Sequence, residues 1–321
     1  MEKRRIGRSG LKIAPLMLGG SVFDWTADEA TSFSILDAFI DAGFDAIDTA
    51  DVYSRWVPGH AGGESETVIG KWLKARGGRS EVIIATKLGM DMGGGVRGLS
   101  RTHMMKAVEG SLRRLQTDYI DLYQSHSDDA ETPLEESLEA FARLVEQGKV
   151  RVVGASNHGW QRLAEALAVS RTQGLPRYES LQPRYNLADR ASFEGGLQNL
   201  CLEEGVGVIA FAGLASGFLT GKYRCQADLS KSPRGGRVER FLDERGFRIL
   251  GALDAVAAAH DATPAQVSLA WLMAQPAITA PIASATSLPQ LRDIIGATRL
   301  TLTADEISTL TDASVMEPAE G

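Results

Sequence analysis

"TPLEESLEAFARLVEQGKVRVVGAS", residues 132–156, decides how this chain is built. Leu134, Leu138, Phe141, Leu144 and Val145 recur at near-helical spacing, Thr132 precedes Pro133 at the start, and Gly148 stands at the stop. That half predicts a helix with one apolar face. Residues 150–156 then form a short apolar run, the pattern of a buried strand.

The same unit recurs along the chain. Apolar runs stand at 16–20 (LMLGG), 44–50 (FDAIDTA), 82–87 (VIIATK), 119–126 (YIDLYQSH), 150–156, 178–183 (YESLQP), 207–213 (GVIAFAG) and 278–284 (ITAPIAS), with helical patterns between them. Strand, helix, strand, helix implies right-handed crossovers and a parallel sheet, and eight repeats point to an α/β fold of the closed (β/α)8 TIM barrel type. An open doubly wound sheet is the competitor. The segment "RRIGRSGLKIA" predicts a β-hairpin before the barrel, and residues 1–321 are expected to form one domain.

Bulk properties bound the function. With 44% hydrophobic and 23% charged residues the chain has an ordinary globular composition, which excludes disordered and fibrous classes. A net charge of −7 leaves no basic excess for a nucleic-acid backbone or an anionic membrane, so neither partner is expected. Cys201 and Cys225 have neither metal-ligand nor redox spacing, so no metal is expected, and a reducing compartment fits. The basic, partly apolar N-terminus superficially resembles a secretory leader, but Lys12, Pro15 and the glycines interrupt it, and no run reaches the ~20 apolar residues of a membrane span. A cytoplasmic location is expected; oligomeric state is not legible.

In a barrel the reactive groups belong at the carboxyl ends of the strands. That rule selects Asp48 and, shortly after, Tyr53 from the second run, Lys87 from the third, His126 from the fourth, Ser156 and Asn157 from the fifth and Gln182 from the sixth. If they converge, Tyr53 is placed to act as a general acid toward a carbonyl oxygen. Lys87 would lower the phenol's pKa, Asp48 would hold the lysine charged, and His126 would hydrogen-bond the same substrate oxygen. Such a set lacks a hydride source, so a cofactor is required.

The long irregular stretch 214–246 carries Lys222, Arg224, Lys231, Arg234, Arg237, Arg240 and Arg245 in an otherwise acidic protein, which predicts a lid that meets an anion. "GGGVRG", 93–98, satisfies a dinucleotide-binding glycine pattern but lies too far from the end of its strand and the start of its helix, so it reads as a rim loop.

These motifs together resemble the aldo-keto reductase family across essentially the whole chain: "DTADVYS", "GGESETVIGKWL", "IATKLG", "DLYQSH", "GKVRVVGASN" and "LQPRYNL". The resemblance implies a reversible hydride transfer between NADP(H) and the carbonyl or alcohol carbon of a small molecule, with Tyr53 as proton donor and NAD(H) as the other admissible cofactor. It assigns Ser156, Asn157 and Gln182 to the nicotinamide carboxamide, and Phe211 to stacking on the ring. Gly20, Ser21 and Val22 belong to a first loop near the cofactor, and Leu214, Ser216, Gly221 and Lys222 to a pyrophosphate clamp. Ser284, Thr286, Ser287, Gln290 and Asp293 fall at the adenosine end. Several members carry Lys or Arg at the position of Ser284 or Gln290, which this chain lacks; Arg292 is the cation considered in their place. Ser127 follows His126 where many members have tryptophan, which implies a more open substrate pocket. Potassium-channel β-subunits also resemble these reductases, so a regulatory role is the alternative, against which the intact acid–base set weighs.

Overall fold

A computed structural model describes residues 1–315. The predicted hairpin is β1 (Arg4–Arg5) paired antiparallel with β2 (Lys12–Ile13). Eight parallel strands then close into a barrel: β3 (Met17–Gly19), β4 (Ala46–Asp48), β5 (Ile83–Leu88), β6 (Ile120–Ser125), β7 (Val150–Ser156), β8 (Ser180–Gln182), β9 (Gly207–Ala210) and β10 (Ile278–Ala283). Each falls inside one of the eight apolar runs except β5, which runs one residue past its run to Leu88, and β10 returns to β3, so no edge is left open. The competing open sheet is thereby excluded.

The outer ring comprises α1 (Glu29–Asp41), α2 (Glu64–Arg76), α3 (Arg101–Leu115), α4 (Leu134–Glu146), α5 (Trp160–Gln173), α6 (Gly196–Glu204), α7 (Glu244–Ala259), α8 (Pro264–Ala274), α9 (Leu288–Gly296) and α10 (Ala304–Ala313). In α4 the buried face is Leu134, Leu138, Phe141 and Leu144, as the spacing predicts. Thr132 does not cap this helix: its hydroxyl donates to Asp129, and Pro133 occupies the cap position. Gly148 takes φ 70°, a left-handed conformation that costs a residue with a Cβ about 1–2 kcal/mol, and so helps the chain turn from α4 into β7.

Two apolar layers result. Met17, Ala46, Ala85, Leu122, Ile209 and Ala280 fill the barrel interior, and the larger set between strands and helices includes Phe39, Trp72, Tyr123, Phe141 and Trp271. Small alanines inside the barrel and large aromatics outside it match the narrow interior to the wider outer layer. No helix among the described residues is long and apolar enough to cross a membrane. Cys201 is buried and Cys225 exposed, both unpaired.

Two long connections leave the carboxyl rim. The 93–98 glycine stretch lies between β5 and α3, whose first turn is capped by Ser100, five residues beyond Gly95 in sequence, so it opens no helix. Between β9 and α7 the chain winds through short 3-10 turns at Ala215–Thr220, Gln226–Lys231, Gly235–Arg237 and Glu239–Phe241. This is the predicted lid.

Candidate active site

β4 delivers Asp48 at its last residue, β5 places Lys87 two residues beyond Ala85, the register partner of Asp48, and His126 follows β6. These three and Tyr53 meet at the rim. The Lys87 ammonium, wholly buried, donates to Asp48 Oδ2 at 2.8 Å, to the Thr49 carbonyl at 2.8 Å and to the Tyr53 phenol oxygen at 3.0 Å. All three of its donors are used. Gln182 Nε2 donates to Asp48 Oδ1 at 2.8 Å, which fixes the other carboxylate oxygen. Tyr53 Oη lies 3.5 Å from Asp48 Oδ2, the outer limit of a hydrogen bond, so the phenol proton is only loosely engaged within the protein.

Charge follows from these contacts. Burial pulls the Lys87 pKa down, but Asp48 and Tyr53 outweigh it, and the net shift is upward, so the ammonium persists at neutral pH. For Tyr53 the expected lowering is corrected: burial pushes the phenol up by more than Lys87 pulls it down, and the net direction is above its ordinary value. A protonated phenol suits a proton donor. Burial, then the Lys87 charge, holds His126 well below the usual histidine range, so the imidazole is neutral; its Nδ1 has no partner within the described residues.

Asp48, Tyr53 and His126 line a cleft of about 1110 Å³ that also takes in Trp25, Trp56 and Met90 and, on α9, Gln290 and Asp293. Ser21, Val22, Ser156, Asn157, Gln182, Phe211, Leu214, Ser216, Lys222, Ser284 and Thr286 line it. Gln182 and Asn157 spend amide protons on Asp48 and on the His126 carbonyl, and Ser156 Oγ is anchored on the Gln182 carbonyl.

Farther along, Ala215, Ser216 and Gly217 adopt φ of 47°, 59° and 98° in succession. For Ala and Ser that conformation costs about 1–3 kcal/mol each, the kind of local strain found where backbone is shaped around a ligand. The lid above supplies charge: Lys222, Lys231, Arg234 and Arg237 line the cleft, and one Arg234 terminal nitrogen is buried without a partner. Both arginines lie over Trp25, 5.3 and 6.0 Å from its ring centre. Lys231 is paired with Asp228 at 2.7 Å, and the remaining lid cations are engaged elsewhere, Arg224 with Asp254, Arg240 with Asp189 and Arg245 with main-chain carbonyls.

Three sequence-based assignments, and the open question of Arg292, are settled in placement. Gly20 does not face the cleft: its carbonyl accepts from Ser65, and a Cβ there would stand 2.9 Å from that hydroxyl, so it serves packing of α2 on the barrel. Gly221 turns the chain at φ 77° and accepts from Arg224. Ser287 is spent as the cap of α9. Arg292 is exposed on α9 and does not line the cleft, so it does not replace the missing adenosine-end cation. Lys87 lies beneath the cleft surface, bonded to the Tyr53 phenol oxygen. Conversely, Trp25, Trp56, Met90 and Arg184 line the cleft without having been singled out. Their position in βα connections was the available signal. Among the described residues no cluster of metal-ligating side chains occurs.

The chain is an NAD(P)H-dependent oxidoreductase: the family model described as "Aldo/keto reductase family" matches residues 15–315, and the chain belongs to that family. It is 36% identical to the uncharacterized oxidoreductase YrpG of Bacillus subtilis (strain 168), over 97% of this chain and 95% of that protein. It is 32% identical to protein tas of Escherichia coli (strain K12), over 96% of each. A probable voltage-gated potassium channel subunit beta of Oryza sativa subsp. japonica is also 32% identical, over 91% of this chain and 89% of that protein.

Proposed function

We propose that this oxidoreductase reduces, reversibly, the carbonyl group of a small molecule held against Tyr53 and His126, with NADP(H) as the preferred cofactor. The observation that carries the reading is the buried ammonium of Lys87 holding the Tyr53 phenol at 3.0 Å while Asp48 holds the ammonium. The bound nicotinamide would supply the hydride. Tyr53 supplies the proton. As negative charge builds on the substrate oxygen, the phenol gives up its proton, and the phenolate left behind is stabilised by Lys87 at hydrogen-bond distance. Proton donation from a positioned side chain contributes about 10²- to 10⁴-fold.

His126 is neutral, so its cleft-facing nitrogen can donate a hydrogen bond to the same oxygen without competing for the phenol's proton. Gln182 and Asn157 would orient the carboxamide, Phe211 would stack on the nicotinamide, and the lid cations would meet the phosphates. The adenosine end offers Ser284, Thr286, Gln290 and Asp293 and no cation, so the preference for NADP(H) rests on membership of the family rather than on a fixed charge at that end.

The test uses Tyr53→Phe with parallel titrations of NADPH and NADH. Turnover of simple aldehydes should fall at least 10²-fold while cofactor affinity stays within about threefold. Retained turnover would remove Tyr53 from the acid role, and tighter NADH than NADPH binding would overturn the preference.

A further inference from the structure

Arg184 follows β8 by two residues and lines the cleft beside Phe211; its guanidinium carbon lies 5.2 Å from the centre of the Phe211 ring. The two residues also bridge through the backbone, with Phe211 N–H donating to the Pro183 carbonyl at 3.0 Å and Tyr185 N–H to the Phe211 carbonyl at 3.3 Å. Ring and cation are therefore held by two hydrogen-bonded segments of main chain. We propose that Arg184 is a positioning residue that discriminates between the redox forms of the cofactor, weakening the oxidised form relative to the reduced one. This inference rests on the reading of Phe211 as the nicotinamide platform.

An aromatic ring has two negatively polarised faces, and a guanidinium over one draws π density toward itself. A planar group stacked on the other face meets a ring with less density to offer. The two forms of nicotinamide differ in that property, since the oxidised ring is a cation and the reduced ring is neutral. With stacking at about 3.5–4 Å beyond the ring, the two like charges would stand about 9 Å apart, close enough for an appreciable penalty at the effective dielectric of a protein surface.

The field of Arg184 is only partly neutralised by its carboxylate neighbour. Asp189 lies 3.7 Å from it but is bonded to Arg240 of the lid at 2.9 and 3.1 Å, so its charge is divided. Because Arg184 is 43% exposed, solvent screening reduces the penalty to an expected three- to tenfold in affinity. For a two-electron couple that ratio corresponds to about 14 to 30 mV in the potential of the bound cofactor.

The experiment measures dissociation constants for NADPH and NADP⁺ by quenching of tryptophan fluorescence, in the wild type, Arg184→Met, Arg184→Lys, Arg240→Gln and Phe211→Ala. Arg184→Met should tighten the oxidised form three- to tenfold and leave the reduced form within twofold. Arg184→Lys should restore most of the discrimination. Arg240→Gln should return Asp189 to Arg184 and shift the ratio in the same direction as Arg184→Met, by less. A ratio unchanged in Arg184→Met, or both forms weakened alike as a packing role would give, overturns the inference while Phe211→Ala still weakens both forms. If Phe211→Ala affects neither form, the platform itself is wrong and the inference falls with it.

Discussion

Replacing Lys87 by methionine keeps the side chain's length and removes its charge, which isolates what the buried ammonium does. In the wild type Lys87 and Asp48 are 0% and 2% exposed and 2.8 Å apart. Without the ammonium, Asp48 keeps Gln182 as its strong partner, and the Thr49 carbonyl and the phenol oxygen each lose a donor. Breaking a buried pair on one side costs about 3–5 kcal/mol. The variant has an escape, because the orphaned carboxylate can take up a proton. At pH 7 that costs an ordinary aspartate about 4 kcal/mol, and at pH 5 about 1.5 kcal/mol.

The destabilisation should therefore be about 3–4 kcal/mol at pH 7 and about 2 kcal/mol smaller at pH 5. The sign is that of a carboxyl protonated only in the folded state: stability is lost as pH rises. In the wild type the raised pKa of Lys87 works in another window, since its stabilisation is complete below the unfolded value of about 10.4 and is lost as pH rises through the higher folded value. Urea unfolding of Lys87→Met, Asp48→Asn and the double variant, without cofactor, at pH 5 and 7 measures all of this. The double variant should recover at least about 2 kcal/mol relative to the sum of the singles at pH 7. Additive singles, or a Lys87→Met cost that does not change with pH, would refute the account of a mutually dependent buried pair.

Asp51, pushed up to about 8 by burial and then by Glu66, holds a proton in the folded state between about pH 4 and 8, so stability should fall with rising pH across that window. Asp51→Asn should flatten that slope, seen in Tm at pH 5 and pH 8; an unchanged slope contradicts it. Ser127 lines the cleft beside His126, and Ser127→Trp should raise KM for bulky ketones about tenfold while leaving small aldehydes nearly untouched. Equal effects on both substrate sizes would place residue 127 outside the substrate pocket. Arg234→Met should weaken both cofactor forms about tenfold or more and make binding less salt-sensitive, whereas Arg224→Met, whose guanidinium is engaged by Asp254, should change affinity less than threefold. Calorimetric titration at two salt concentrations checks both, and equal effects of the two substitutions would show that the lid acts by general charge alone.

Periodicity and the strand-end rule were enough to reveal the barrel and to select Asp48, Tyr53, Lys87 and His126, which the structure brings to one rim, because both follow from local pattern. An apolar run bounded by a helix signal reads as a buried strand wherever it lies, and the residue that ends such a strand in a closed parallel barrel points to one rim. Tertiary placement decided the rest. The net pKa direction of Tyr53 depends on how much water the fold excludes around the phenol, which spacing does not encode. Gly20, Gly221 and Ser287 sit near cleft-lining residues in sequence but spend their groups on packing, turning and capping. Which lid arginines face the cleft was equally invisible, since Arg224, Arg240 and Arg234 look alike as letters and differ only in whether a carboxylate stands within reach. Chain-local chemistry thus defined the elements and their ends, and the closure of the barrel decided which of those ends share one site.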